Sequence, residues 1–117
     1  MLLRLLQDYW GLRKPNLVIS VTGGAQKFKL VPKLREVFRR GLMKAAQSTG
    51  AYIISGGSHS GVMKYVGQAV RDSSLIRAGD GGEGLVAIGI ATWGTVQGKH
   101  DLVDPEVRNY HLTLSYL

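Results

Sequence analysis

The sequence predicts an α/β domain built on a parallel sheet, and three observations carry that prediction. Three short apolar runs, at residues 17–21, 51–55 and 85–91, lack the polar alternation of a half-wetted strand and read as strands buried on both faces. Each run ends in a glycine-containing turn: Thr22-Gly23-Gly24, Gly56-Gly57 and Thr92-Trp93-Gly94-Thr95. Between the runs stand two segments whose apolar residues recur at helical spacing. This order implies parallel strands joined by right-handed crossovers, so the three turns are expected along one edge of the sheet. Open parallel sheets bind ligands at that edge.

Each element has its own warrant. Leu2, Leu3, Leu5 and Leu6 form a short apolar stripe, expected as a docking helix within residues 1–14 that stops at Gly11 and the Lys14-Pro15 step. Arg4 interrupts the stripe and no small-residue cleavage site follows, so it does not read as a signal peptide. The first strand, Leu-Val-Ile-Ser-Val at 17–21, is dominated by β-branched residues. Pro32, with its φ already set for a first helical turn, opens a helix carried by Leu34, Val37, Phe38, Leu42 and Ala45 to about Gln47, with Thr49-Gly50 as its stop. Ala-Tyr-Ile-Ile-Ser at 51–55 repeats the pattern of the first strand. Val62, Val66, Ala69 and Val70 mark a second helix from Gly61 to about Asp72. Residues 73–84, rich in Gly, Ser and Asp, read as an exposed loop before the third strand. The core is thus expected over 15–104, with 105–117 a divergent tail of undecided structure in which Asp104-Pro105 and Asn109 suggest turns.

Composition narrows what such a domain does. A chain of 117 residues holds one small domain with a real core, not two. It has no cysteine, which removes disulfides, thiolate zinc sites and a cysteine nucleophile. Its longest apolar stretch, near residues 85–93, is about half of the roughly 20 residues needed to cross a bilayer, so no direct membrane insertion is expected of it. Fifteen Lys and Arg against eight Asp and Glu leave a formal charge of +7, which favours an anionic partner. Lys27, Lys29, Lys33, Arg35, Arg39, Arg40 and Lys44 concentrate that charge, and the plainest reading of such a run is a solvated helix face.

The chemistry-bearing signal is Gly56-Gly57-Ser58-His59-Ser60-Gly61, between a strand and a helix. Glycines there permit positive φ and close approach, leaving amide N–H groups at a helix N-terminus to face an anion, while Ser58 and Ser60 add hydroxyl donors. The spacing is neither the dinucleotide fingerprint nor the Walker motif. The plainer alternative is a folding turn capped by Ser60. Thr22-Gly23-Gly24 is a weaker copy of the device, followed by Lys27 and Lys29. Trp93 offers a face for stacking, though a lone tryptophan is more often packing, and packing is the expectation for it. His59, His100 and His111 have no metal-ligand spacing, and no third group orients a base beside the serines. Neither a catalytic nor a metal site is expected.

Read together, Pro15-Asn16-Leu17-Val18-Ile19-Ser20-Val21-Thr22-Gly23-Gly24, Arg39-Arg40-Gly41-Leu42, Ala45-Ala46-Gln47-Ser48-Thr49-Gly50-Ala51, Gly56-Gly57-Ser58-His59-Ser60-Gly61-Val62 and Ile88-Gly89-Ile90-Ala91-Thr92-Trp93-Gly94 resemble the N-terminal cytoplasmic homology region of the melastatin subfamily of transient receptor potential cation channels. The resemblance covers about residues 15–103, and its wording is most similar to the branch gated by ADP-ribose and calcium. It implies a Rossmann-like, three-layer parallel sheet of the SLOG nucleotide-sensing type. It also implies a pocket for an ADP-ribose-like nucleotide, bound as ligand with no cofactor required. By resemblance that pocket is lined by Thr22, Gly23, Gly24 and Ala25, by Gly56, Gly57, Ser58, Ser60, Gly61 and Met63, and by Thr92, Trp93 and Gly94. The implied partners are the remaining domains and subunits of a homotetrameric, calcium-permeable channel, and the implied location is the cytoplasmic side of the plasma membrane.

The resemblance also implies further strands, including a His-Phe-Ile-Leu-Val-Asp-Asp-Gly-like segment, that do not follow here, since the chain turns at Asp104-Pro105 into an unfamiliar tail. The sheet is therefore expected to be incomplete, its open edge prone to pairing, and the chain to be a truncated or alternatively ended product of low stability alone. Two other function classes stay open: a phosphoribohydrolase-like enzyme of the same superfamily, whose Pro-Gly-Gly-x-Gly-Thr turn and nearby acid are missing, and a nucleic-acid binder using the basic helix, which lacks interleaved aromatics.

Overall fold

The computed structural model describes residues 4–77 and 84–100. Strand β1 is Val18–Val21, helix α1 Pro32–Thr49, strand β2 Tyr52–Ser55, helix α2 Gly61–Arg77 and strand β3 Ala87–Gly89. A short π-type turn, Leu5–Tyr9, precedes them and a 3-10 turn, Trp93–Thr95, follows. The strands pair in parallel in the order β1-β2-β3, with Ser20 opposite Ile54 and Ile54 opposite Ile88. The chain is therefore an α/β fold with the parallel, Rossmann-like connectivity that its sequence predicts.

Stepping in one direction across a sheet puts successive right-handed crossovers on the same face. Both helices accordingly share one core: Met43 and Ala46 of α1 and Val66, Ala69 and Val70 of α2 enclose Ile53 and Ala87, with Ile19, Val21, Phe38, Leu42 and Leu85 at the margin. Strand alternation turns Tyr52 and Ile54 to the other face. There the segment preceding β1 covers the start of β2: Tyr52 is buried and its hydroxyl donates to the Arg13 carbonyl. Ser20 is exposed and Ile54 and Ile88 are half-buried, so among the described residues this second layer is partial. The sheet has three strands among the described residues, consistent with the expected incomplete fold.

Several expectations need correction. β1 is not buried on both faces: its residues alternate between exposed and half-buried, and Val18 is 48% exposed, because β1 is an edge strand of the described sheet. Only β2, the central strand, has the burial that an unbroken apolar run implies. The second helix does not stop near Asp72 but continues to Arg77, taking in residues 73–77 that the sequence places in a loop. Buried Ser73 explains part of the extension, since its hydroxyl accepts from the Gln47 amide at 3.3 Å and ties α2 to α1. Residues 78–83 of that expected loop lie outside the described residues, as do Leu2, Leu3, His111 and the tail at 105–117. Helix α1 ends where expected, with Gly50 at φ +63° as a left-handed cap whose N–H reaches the Ala46 carbonyl.

Candidate functional site at the carboxyl ends of the strands

Because the strands are parallel, the turns that follow them emerge at one edge. The first two turns touch there. Gly61, at φ +54°, lies so close to the Gly24 carbonyl that a Cβ on Gly61 would collide with that oxygen, and Ala25 Cα is next to it. A Cβ on Gly23 would fall 2.7 Å from Val62 Cγ1. The second turn also touches the end of β3 and the adjoining Ile90, two residues before Thr92. Gly57, at φ +60°, backs onto Gly89 and Ile90, where a Cβ would sit 3.0 Å from the Gly89 carbonyl carbon. The Ile90 amide donates to the Ser55 carbonyl at 2.8 Å, carrying the β2–β3 ladder into the turn. Glycine is required at positions 57 and 61 twice over, by left-handed φ and by the backbone of the neighbouring turn.

The helix that begins at Gly61 directs its first-turn amides, which have no intrahelical acceptor, along this edge. Ser58 and Ser60 stand before it with their hydroxyls 2.9 Å apart, and Ser58 Oγ lies 3.5 Å from Met63 Sδ. Met63 is buried, its sulfur packed against Gly56, so it supports the turn from beneath. Thr22, Gly23, Gly24 and Ala25 are exposed, as are Thr92, Trp93 and Gly94, while Gly56, Gly57, Ser58 and Ser60 are half-buried and Gly61 is buried. Above Gly24 and Gly94 a Cβ would meet nothing within 4 Å. Trp93, expected to pack, is instead 53% exposed on its 3-10 turn.

Two residues at this edge escaped the sequence reading. Ser55 is the last residue of β2, 4% exposed, and its hydroxyl has no partner among the described residues. A serine closing an apolar strand immediately before a glycine pair was the available signal. Tyr65 is buried on α2 and bonded to the backbone of the basic loop between β1 and α1. Its place in the helical apolar spacing gave no hint of that contact.

The basic segment divides in two. Lys27 and Lys29 are exposed on the loop that leaves the first turn. On α1, Glu36 binds Arg39 at 2.6 Å and Arg40 at 2.7 Å, and those bonds, the Arg39 one foremost, hold its carboxyl down at about 2 from an ordinary 4.5. Arg39 is thus drawn into a pair instead of forming part of a purely solvated face. A hollow between the helices is lined by Pro32, Arg35, Glu36, Arg39 and Asp72. Asp72 is about 16 Å along α2 from Gly61, so this hollow is separate from the turns, and its Glu36 is already paired. No group of three metal-ligating side chains occurs among the described residues, and none of the described helices is long and apolar enough to cross a membrane.

Comparison with known proteins shows the family. A family model described as "SLOG in TRPM" matches residues 1–116. Transient receptor potential cation channel subfamily M member 2 of Mus musculus is 55% identical over 102 residues, covering 87% of this chain and 7% of the relative. The subfamily M member-like 2 channel of Nematostella vectensis is 51% identical over 110 residues, 94% of this chain and 7% of the relative. Member 1 of Mus musculus is 46% identical over 114 residues, 97% of this chain and again 7% of the relative. The chain thus spans a small fraction of the length of the curated relatives it matches.

Proposed function

From the premise that this chain belongs to the SLOG family of the transient receptor potential subfamily M channels, we propose that its three-turn edge binds the phosphates of a nucleotide such as ADP-ribose, as a sensor. The observation that carries the reading is the contact of Gly61 with Gly24 and of Gly57 with Gly89 and Ile90, which brings the first two turns and the end of β3 together at the start of α2. An anion there meets first-turn amides and the positive end of a helix. The Ser58 and Ser60 hydroxyls add donors, and Lys27 and Lys29 add charge from the adjoining loop. The buried, unpartnered Ser55 hydroxyl supports the reading, since such a group ordinarily has a water or ligand to bond. Exposed Trp93 supplies a face for a base.

In the full-length protein the module acts from the cytoplasmic side of a homotetrameric, calcium-permeable channel. Occupancy changes gating by the difference in ligand affinity between two packings of the domain against its neighbours. No chemical step is assigned to it. His59, the ionisable side chain nearest the serines in sequence, is exposed, and general-base work needs a second group to orient it.

Calorimetric titration of the 117-residue chain with ADP-ribose tests the reading, with a Gly24→Val variant as control. Gly24 has an ordinary φ and open space above it, so valine is accommodated by the fold while it occupies the approach to the amides. ADP-ribose binding that weakens at least about tenfold in G24V is the expected result. Turnover of ADP-ribose would replace the reading with an enzyme. Salt-dependent oligonucleotide binding without ADP-ribose binding would replace it with a nucleic-acid module.

A further inference from the structure

Tyr65 lies one turn along α2 from Gly61, is 6% exposed, and faces the loop that joins β1 to α1. Its hydroxyl accepts from the Leu30 amide at 2.9 Å and donates to the Phe28 carbonyl at 3.2 Å, so both capacities of the hydroxyl go to the loop backbone. The rings of Phe28 and Tyr65 pack at 5.6 Å between centroids, tilted by 44°. At its other end the loop is fixed by the contact of Gly24 and Ala25 with Gly61. Residues 24–30 are therefore held at two points one helical turn apart, and Lys27 lies between them.

We infer that Tyr65 is a positioning residue for the anion site: its hydroxyl clips the basic loop to α2 one turn past Gly61 and so keeps the Lys27 charge beside the helix N-terminus. The inference rests on the nucleotide-sensing reading of that site. A loop with no regular hydrogen bonds of its own is costly to order upon binding, and a lysine on a free loop contributes a screened, wandering charge. Pinning the loop beforehand removes the ordering cost from the binding step. Phosphate-rich ligands benefit most, because the pinned cation acts on phosphate and not on base or ribose.

The Tyr65→Phe substitution tests this in the 117-residue chain, since it keeps the ring and its packing on Phe28 and removes only the hydroxyl. Hydrogen exchange at the Leu30 amide, followed by NMR without ligand, is expected to quicken at least tenfold in Y65F while the exchange of β2 amides stays the same. ADP-ribose affinity is expected to fall about five- to tenfold, the scale of one or two lost neutral hydrogen bonds. Adding Lys27→Gln to Y65F is expected to cost little more than Y65F alone, since both changes remove the same held charge. An unchanged Leu30 rate would overturn the clip. A faster rate with unchanged affinity, or full additivity with K27Q, would overturn the positioning role. Wild-type protein that binds no ADP-ribose would overturn both the sensing reading and the positioning role, and the Leu30 rate would then tell whether the clip itself stands.

Discussion

The second glycine turn and the two that flank it are built from the same residue type for different reasons. At Gly57 and Gly61 positive φ and a neighbouring backbone leave no room for a side chain. At Gly24 and Gly94 the backbone is ordinary and the space above is open. The first pair is needed for the second turn to meet the first turn and the end of β3, and the fold alone accounts for it. For the second pair the fold offers no reason to prefer glycine, which fits the proposed approach of a ligand to the backbone. What a Cβ would meet thus separates the glycines that the fold forces from those that it leaves free to vary.

The sharpest break of that distinction is Gly61→Ala against Gly24→Ala. The first combines left-handed strain with a collision on the Gly24 carbonyl and is expected to cost about 3 kcal/mol. The second is expected to change stability by less than about 0.5 kcal/mol, as surface substitutions do. Urea denaturation compares them, and equal losses would erase the contrast. A smaller effect is expected at Ser55, between the two kinds of turn. Ser55→Ala removes a buried hydroxyl that has no partner, so the free chain should gain up to about 1 kcal/mol while ADP-ribose affinity falls. A loss of stability would place that hydroxyl in the fold and not in the site.

The smallest effect lies away from the turns, at Glu36. Its carboxyl is depressed to about 2 from an ordinary 4.5 by Arg39 and Arg40. A depressed carboxylate stabilises the fold above its unfolded value, and the contribution fades as pH falls from about 4.5 through about 2. The pair is at the surface, so only a slight acid shift of the melting curve is expected, absent in Glu36→Gln and weaker in high salt. An unaltered acid limb in E36Q would leave the pair without a role.

Much of the fold was legible. Pro32, the helical spacing of Leu34, Phe38 and Leu42, and Gly50 delimit α1 closely, because caps and periodicity are local physics. The strands were legible as strands and not as to depth. Val18 and Ile53 are both apolar β-branched residues, yet one is 48% exposed and the other fully buried, since position in the sheet decides burial. The end of α2 was missed because Ser73 and Ser74 read as loop, whereas Ser73 is bonded to Gln47 of the other helix and Ser74 to the Val70 carbonyl. At the candidate site the three turns were found by their glycines. Ser55 and Tyr65 were not, because their significance lies in partners lacking or gained across the fold.

What the sequence determined by itself is the order of strands, turns and helices, the basic excess, and, through resemblance, the family. Backbone propensity, capping and charge are properties of short stretches of chain and survive without tertiary context. Only the tertiary structure decided which strand is central, which glycines are forced, and that Tyr65 ties a loop 35 residues away. Those facts depend on which surfaces meet, and a linear pattern of residue types does not specify contacts between distant segments.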